Sequence, residues 1–202
     1  MSQIIVDAGT EGLSVSRKLD KLGHRSSDTA ELHFDDVRVP IANVIGEVGR
    51  GFQQQMAQFV VERMFGAYGA VGGCEWAIER TREYLDQRQA FGRSLSQNQH
   101  LAYRLAELTA QVEVLRSHNY LTAEGHARGE DVTRQATVAK LIAGRLWREV
   151  ADTCLQFHGG MGYMEESWTS RFFRDSRLGS IGGGADEVML LVLARMDGYQ
   201  PS

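Results

Sequence analysis

The pattern of apolar and polar positions changes character near residue 51. Before that point, short runs of alternating apolar and polar residues are separated by turn residues, which is typical of half-buried strands. The strand candidates are residues 4–6, 13–15 and 29–34. Because so few short strands cannot form an independent sheet domain, we predict that residues 1–50 are the end of a β-domain, with a linker, whose other strands lie outside this chain.

From residue 51 onward, apolar residues recur at intervals of three and four, which is typical of helices that bury one face. The intervals predict helices over about 51–90, 97–127, 131–158 and 186–196, with Asp131 as the N-cap of the third. The polar, glycine-rich residues 159–184 are predicted to be a connection. The fold class is therefore mainly α, an antiparallel four-helix bundle over 51–202 preceded by a few strands of an incomplete β-domain.

Composition limits the function classes. The chain has 202 residues, of which 43% are hydrophobic and 24% charged, as in a soluble globular protein. A net charge of -4 and the absence of a basic run argue against nucleic-acid binding. Two isolated cysteines argue against a disulfide framework or a metal site, and no apolar run reaches the roughly 20 residues of a membrane span. We expect a bacterial cytoplasmic protein, with the mitochondrial matrix as the alternative.

Glu62 is the first candidate functional residue. It lies in the first predicted helix, and the same helical face continues through Gly66, Gly69 and Gly73. Each glycine inside a helix costs about 1 kcal/mol relative to alanine, so a row of glycines needs a physical reason. Either a ligand approaches the helix backbone closely, or another helix packs there and Glu62 lies at a solvated edge. Taken alone, the pattern favours helix packing.

Two later glycine-rich segments suggest ligand contacts. In residues 156–163, three glycines in four positions exceed the single glycine that a helix C-cap needs. His158 within this segment is a general base or, more commonly for such a residue, a structural histidine. Residues 181–187 lead into a helix N-terminus, where free N–H groups and the helix dipole suit an anion such as a diphosphate. Arg88, at the end of the first helix, is a partner of the helix dipole or a phosphate contact.

These segments together resemble the acyl-CoA dehydrogenase family. The resemblance is carried, in order and with matching spacing, by Lys21–Thr29 with Phe34–Pro40, by Arg88–Gly92 with Gln99, by Gln156–Tyr163, and by residues 181–188. It covers nearly the whole chain. It implies a flavin enzyme in which a carboxylate takes the α-proton of an acyl-CoA thioester and a hydride leaves the β-carbon for the N5 atom of FAD, which gives the 2-enoyl-CoA.

The resemblance also assigns the residues that bind substrate. Most members of the family carry the catalytic base in the final loop, at the position that Gly183 occupies here. A smaller set, similar to isovaleryl-CoA and long-chain acyl-CoA dehydrogenases, supplies a glutamate from the first bundle helix, immediately before an arginine. Glu62 and Arg63 match that arrangement. Glu62 is therefore the predicted base, and Gly183 and Gly184 are predicted to contact the acyl-CoA. Arg63 is predicted either to contact the acyl-CoA or to position the helix.

The cofactor and partners follow from the same resemblance. Position 185 is usually threonine in the family, so one hydroxyl contact to flavin is missing. Electron-transfer flavoprotein is the implied electron acceptor and a homotetramer the implied assembly, because the flavin contacts cross between subunits. No metal, nucleic acid or membrane span is expected. The residues predicted to contact FAD are Arg88, Phe91, Gln99, Gln156, Gly159, Gly160, Ala185 and Glu187.

Alternatives to this prediction stay open at the level of the sequence. An acyl-CoA oxidase, or another flavin enzyme of the same fold, would use the same motifs. A helical module without catalytic activity would also need only a bundle. Since the family normally has a helical domain and a complete β-domain before this region, we expect the chain to be a C-terminal fragment that is inactive alone and in which FAD binding is in doubt.

Overall fold

The structure, a computed structural model, describes residues 1–200. The chain divides into two compact units, the first comprising Met1–Phe59 and the second beginning at Val60. In chain order the strands and helices are β1 Gln3–Ile4, β2 Leu13–Val15, β3 Leu32–Phe34, β4 Val44–Ile45, α1 Gly51–Gln87, β5 Gln89–Ala90, β6 Arg93–Ser94, α2 Gln99–Ala127, α3 Thr133–His158, α4 Trp168–Ser176 and α5 Asp186–Met196.

The first unit contains two small antiparallel ladders, β1 with β4 and β2 with β3. The β2–β3 ladder places Leu13 opposite Phe34. The strand predicted over 13–15 is present, and the one over 29–34 is reduced to its last three residues. Apolar side chains such as Val15 and Phe34 are more than half exposed in these ladders. That residues 1–50 belong to a larger β-domain stays a prediction.

The core of the second unit forms where α1, α2 and α3 meet. Each helix contributes its apolar stripe, and α3 also packs against α4 and α5. Full burial of a leucine or valine side chain stabilises the fold by about 1.5–3 kcal/mol before entropy is counted. The buried cluster is Ala67, Ala70, Val71, Cys74 and Ala77 of α1, Leu108, Val112 and Leu115 of α2, and Ala139, Ala143, Leu146, Val150 and Cys154 of α3.

One glycine brings the C-terminal segment onto α3. A Cβ at Gly144 would lie 2.4 Å from the carbonyl oxygen of Gly179, so no larger residue fits there. Residues 177–180 form a 3-10 turn against this position. The close approach packs the segment between α4 and α5 directly against the backbone of α3.

The prediction of a mainly helical fold is confirmed, with one difference. The stretch 159–184, predicted to be a connection, contains α4. Ser167 caps this helix by accepting from the Thr169 N–H at 3.3 Å. Trp168 and Phe172, four residues apart, pack against the core cluster. Nine residues give too short an apolar repeat to stand out in the sequence.

Residues 1–200 contain neither a membrane-spanning helix nor a cluster of metal ligands. No helix there is both long enough and apolar enough to cross a bilayer. No group of three or more histidine, cysteine, aspartate or glutamate side chains converges on a point where a metal ion could sit.

Candidate functional site

The face of α1 that begins at Glu62 is open along two of its glycines. Glu62 is exposed, whereas its neighbour Arg63 is buried. A Cβ at Gly66 or Gly69 would meet no atom within 4 Å among the described residues, apart from the adjacent turns of the helix itself. At Gly73 the rings of Phe172 and Trp147 lie in ordinary contact. Side chains of α3 and α4 therefore cover Gly73 and leave room for a methyl group there, while the backbone at Gly66 and Gly69 is accessible to a ligand.

The final loop, residues 181–185, has a backbone that requires glycine. Gly183 has φ +68° and Gly184 has φ +105°, both in the left-handed region that other residues rarely adopt. A Cβ at Gly184 would also lie 2.5 Å from the Cε atom of Met189. No side chain caps the start of α5, so the N–H groups of its first turn are available to an acceptor.

Two buried cations hold the carbonyl groups of this loop. Arg63 Nε donates to the Gly183 carbonyl oxygen at 3.4 Å, and Arg63 Nη1 donates to Thr137 Oγ1 at 3.3 Å. Lys140 Nζ of α3 donates to the Gly184 carbonyl oxygen. We call Arg63 and Lys140 the carbonyl clamp. Because Arg63 follows Glu62 directly, the clamp brings the part of α1 that carries Glu62 against the final loop.

Asp186 supplies the negative charge for this cluster. Its carboxylate lies 3.8 Å from Lys140 Nζ and 3.4 Å from Arg145 Nε. Asp186 Oδ1 is buried and has no hydrogen-bond partner among the described residues. Burial lowers the pKa of Lys140, which Asp186 opposes, and burial also lowers the pKa of Arg63. Lys140 thus contacts one buried carboxylate and one loop carbonyl, and Arg63 contacts the other loop carbonyl.

Sequence reasoning missed Lys140 and Asp186. Lys140 follows Ala139 and precedes Leu141, and it lies on the buried face of α3 together with Ala136 and Ala143. Lysine is almost never fully buried unless it is paired. A lysine at an apolar helix position was therefore the available signal.

A second group of predicted residues surrounds the connection from α1 to α2. Strands β5 and β6 form a hairpin whose tip is Phe91 and Gly92, with φ +52° and +77°. Positive φ at both central residues is the pattern of a type I′ turn, which prefers Asn-Gly or Gly-Gly. Phe91 is instead fully exposed at this tip. Arg88 and Gln99, before and after the hairpin, are also exposed.

The end of α3 carries the remaining predicted residues. Gln156 is exposed, Gly159 has φ +59°, and a Cβ at Gly159 or Gly160 would meet nothing within 4 Å. Gly162 differs, because its Cβ would lie 2.5 Å from the carbonyl oxygen of Leu155. Gly162 therefore serves packing, whereas Gly159 and Gly160 expose backbone.

His158 has structural contacts. Its Nδ1 lies 2.7 Å from the Cys154 carbonyl oxygen, and because a carbonyl only accepts, Nδ1 carries the proton. The ring stacks on Tyr84 at 4.1 Å and meets Trp168 edge-on at 5.3 Å. Burial lowers the pKa of His158. Tyr84 also donates to the His158 carbonyl oxygen at 3.3 Å, which joins the end of α1 to the end of α3.

The predicted site residues therefore fall into two groups. Arg63, Gly183 and Gly184 are joined by direct contacts or by chain continuity, and Glu62 and Ala185 adjoin them in the chain. Glu187 belongs to the same group, because it lies in the first turn of α5 directly after this loop. The second group lies at the adjoining ends of α1 and α3 and comprises Arg88, Phe91, Gln99, Gln156, Gly159 and Gly160.

Comparison with known proteins gives consistent matches. Residues 49–196 match a family model described as acyl-CoA dehydrogenase, C-terminal domain. The chain is 37% identical over 195 residues to the mitochondrial long-chain specific acyl-CoA dehydrogenase of Mus musculus, an alignment that covers 96% of this chain and 45% of the relative.

Solved structures agree with the sequence matches. The crystal structure of an acyl-CoA dehydrogenase from Geobacillus kaustophilus aligns with TM-score 0.95 and 35% identity over 98% of this chain and 52% of that one. Butyryl-CoA dehydrogenase from Megasphaera elsdenii aligns with TM-score 0.92 and 35% identity over 97% of this chain and 51% of that one. The chain thus spans about half the length of the relatives it matches.

Proposed function

Because the chain belongs to the acyl-CoA dehydrogenase family, we propose that it forms the C-terminal part of a flavin-dependent enzyme that oxidises an acyl-CoA thioester to the 2-enoyl-CoA, with Glu62 as the base. One observation carries this proposal. Arg63 donates to the carbonyl oxygen of Gly183, the position where most members keep their base. The helix that carries Glu62 and the vacated position therefore belong to one site.

The reaction needs a carboxylate next to a space that accommodates the acyl chain. The C–H bond at the α-carbon breaks and its proton goes to the Glu62 carboxylate. The backbone at Gly66 and Gly69 is open on the helical face that Glu62 begins, which suits an apolar chain. Bound FAD would supply the acceptor for the hydride of the β-carbon. Hydrogen-bond donors near the thioester oxygen would stabilise the enolate-like charge that develops there.

The residues present fit a flavin dinucleotide. Gly159 and Gly160 leave backbone open where any side chain would fill the space, and Phe91 offers an exposed aromatic ring. The start of α5 has no side-chain cap, which suits a diphosphate or a ring acceptor. Ala185 lacks the usual hydroxyl. The residues that would hold FAD are Arg88, Phe91, Gln99, Gln156, Gly159, Gly160, Ala185 and Glu187.

The proposed enzyme implies an assembly and partners. Arg88, Phe91, Gln99 and Gln156 are all exposed, which fits flavin contacts made across a subunit boundary in a homotetramer. We propose electron-transfer flavoprotein as the electron acceptor. The proposed compartment is the bacterial cytoplasm, with the mitochondrial matrix as the alternative.

The test is Glu62→Gln in the flavin-loaded enzyme that carries this segment. General-base catalysis is worth about 10²–10⁴-fold, so anaerobic bleaching of the flavin absorbance by acyl-CoA should slow by that factor. Flavin content should stay unchanged. The control is Glu79→Gln, an exposed glutamate of the same helix that pairs with Arg82 and should bleach at the wild-type rate.

Two outcomes contradict the proposal. If Glu62→Gln retains flavin and bleaches as fast as wild type, Glu62 is not the base. If the wild-type enzyme holds FAD but no acyl-CoA of any chain length bleaches it, the dehydrogenase assignment is wrong.

A further inference from the structure

We propose that Lys140 is a positioning residue of the site, which holds the final loop in a single conformation through the Gly184 carbonyl and is itself held by Asp186. The inference rests on the proposed function for its catalytic consequence, since the loop lies where that function places substrate and flavin. The contacts that carry it are independent of any ligand.

Burial of the Lys140 ammonium carries a desolvation cost. Its side chain is 6% exposed, and its buried neighbours on the same helix face are uncharged: Ala136, Thr137, Ala143 and Gly144. A buried ammonium loses its hydration, and burial accordingly lowers the pKa of Lys140. Replacement of a buried ion pair by apolar residues of similar volume is often neutral or stabilising. Packing alone therefore gives no reason for a lysine here, whereas a specific contact does.

The loop is a segment that needs such a contact. Gly183 and Gly184 are consecutive glycines in left-handed conformations, and glycine has the largest conformational freedom of any residue. Arg63 binds the first carbonyl and Lys140 binds the second. Hydrogen bonds from charged donors are roughly twice as strong as neutral ones. One donor leaves the second peptide free to rotate, so both cations are needed to define the loop.

Asp186 links the clamp to α5. It is the first residue of that helix and lies between Lys140 and the half-exposed Arg145 of α3. Glu187, the next residue, favours the charged form of Lys140, and Arg63 opposes it. Loss of the Lys140 ammonium would leave Asp186 with Arg145 as its ion-pair partner, so the loop and the start of α5 should loosen together.

The matched control lies on the same helix. Arg134 of α3 pairs with Asp197, just beyond α5, at 2.8 Å. Both of these side chains are about half exposed, in contrast to Lys140 and Asp186. Arg134→Met removes a cation that joins the same two elements without touching the final loop.

The experiment is hydrogen–deuterium exchange on the 202-residue chain, comparing wild type with Lys140→Met, Lys140→Arg and Arg134→Met. The Gly182 and Met189 amides flank the loop and donate to the carbonyl oxygens of Leu178 and Ala185. Lys140→Met should speed exchange of these two amides about tenfold or more, with α2 amides unchanged. Lys140→Arg should restore part of the protection because it keeps the charge. Arg134→Met should leave both amides at the wild-type rate.

A second readout separates positioning from stability. In the flavin-loaded enzyme, Lys140→Met should lower kcat/KM about tenfold, since the competent loop is populated less often. Arg134→Met should leave kcat/KM unchanged.

Several results would overturn the inference. If Lys140→Met accelerates exchange equally in α2 and at Gly182 and Met189, Lys140 is a general stability residue. If it leaves exchange at Gly182 and Met189 unchanged, Lys140 does not hold the loop. If Lys140→Met does not fold, Lys140→Arg decides alone: exchange accelerated as much in α2 as at Gly182 and Met189 would contradict positioning by the ammonium. Exchange needs neither flavin nor acyl-CoA, so this result stands whether or not Glu62→Gln abolishes bleaching.

Discussion

The two parts of the candidate site are built in opposite ways. The final loop is held from inside by Arg63 and Lys140, both buried, and its carbonyls are bonded. The hairpin tip at Phe91 and the backbone at Gly160 are exposed and meet little of the described chain. The residues that hold the final loop all lie in the second unit. The hairpin tip and the end of α3 expose their groups, as a surface does when it meets a ligand or another subunit.

The glycines of the site divide in the same way. Gly162 and Gly184 are required by atoms that a Cβ would strike. Gly66, Gly69 and Gly160 have open space where a side chain would go. Steric need explains the first pair. A ligand that must approach the backbone explains the others, and substitution tells the two kinds apart.

The largest expected effect is a difference in the free energy of unfolding between substitutions at Gly162 and at Gly160, two glycines of the same segment. Gly162→Ala should lower the free energy of unfolding by about 1–3 kcal/mol, because its Cβ overpacks against the Leu155 carbonyl. Gly160→Ala should change it by less than about 0.5 kcal/mol, since it meets open space. Urea denaturation measures both.

The same pair tests the ligand-facing assignment. In the flavin-loaded enzyme, Gly160→Ala should weaken FAD retention although the fold is intact. If Gly160→Ala binds FAD with wild-type affinity, Gly160 does not face the flavin. If the two substitutions destabilise the chain equally, steric contact does not distinguish Gly162 from Gly160.

The next effect is the dependence of stability on pH through His158. Burial lowers the pKa of His158 below its ordinary value of 6.5, so below pH 6.5 the unfolded chain binds a proton that the folded chain resists. The stabilisation is fully present above pH 6.5 and is lost as pH falls through the folded pKa. For one proton the slope cannot exceed about 1.4 kcal/mol per pH unit.

His158→Phe is the control for this slope. Phenylalanine keeps a ring beside Tyr84 and Trp168 but cannot titrate. The difference in unfolding free energy between wild type and His158→Phe should shrink as pH falls from 7 to 5. A constant difference over that range would mean that His158 titrates normally and that its burial has no electrostatic consequence.

The smallest effect is a gain in stability at the hairpin tip. Phe91 has φ +52°, a conformation that asparagine tolerates and that costs other residues about 1–2 kcal/mol. Phe91→Asn should therefore raise the free energy of unfolding by about 0.5–1 kcal/mol, because Asn-Gly is preferred in type I′ turns. Thermal or urea unfolding measures the gain.

Phe91→Asn also tests the predicted contact of Phe91 with FAD. If Phe91 is retained for flavin, Phe91→Asn should lower FAD affinity while it stabilises the chain. A variant that is more stable and binds FAD as well as wild type would show that the exposed ring has another purpose.

Much of the helical layout could be predicted from local patterns. The bounds of α2 and α5 lie within two residues of the prediction, because apolar spacing and glycine breaks are local signals. Asp131, the predicted N-cap of the third helix, accepts from the Thr133 N–H at 3.0 Å although the helix itself begins at Thr133. The short helix α4 was missed because its stability comes from contacts of Trp168 with the core rather than from its own repeat.

The sequence by itself determined the family resemblance, the helical class and the choice of Glu62, because residue types and their spacing are local properties. Only the tertiary structure decided that Arg63 and Lys140, 77 positions apart in the chain, bind consecutive carbonyls of one loop. It alone separated open glycines from closed ones, since a glycine looks the same in sequence whether or not another atom lies where its Cβ would be.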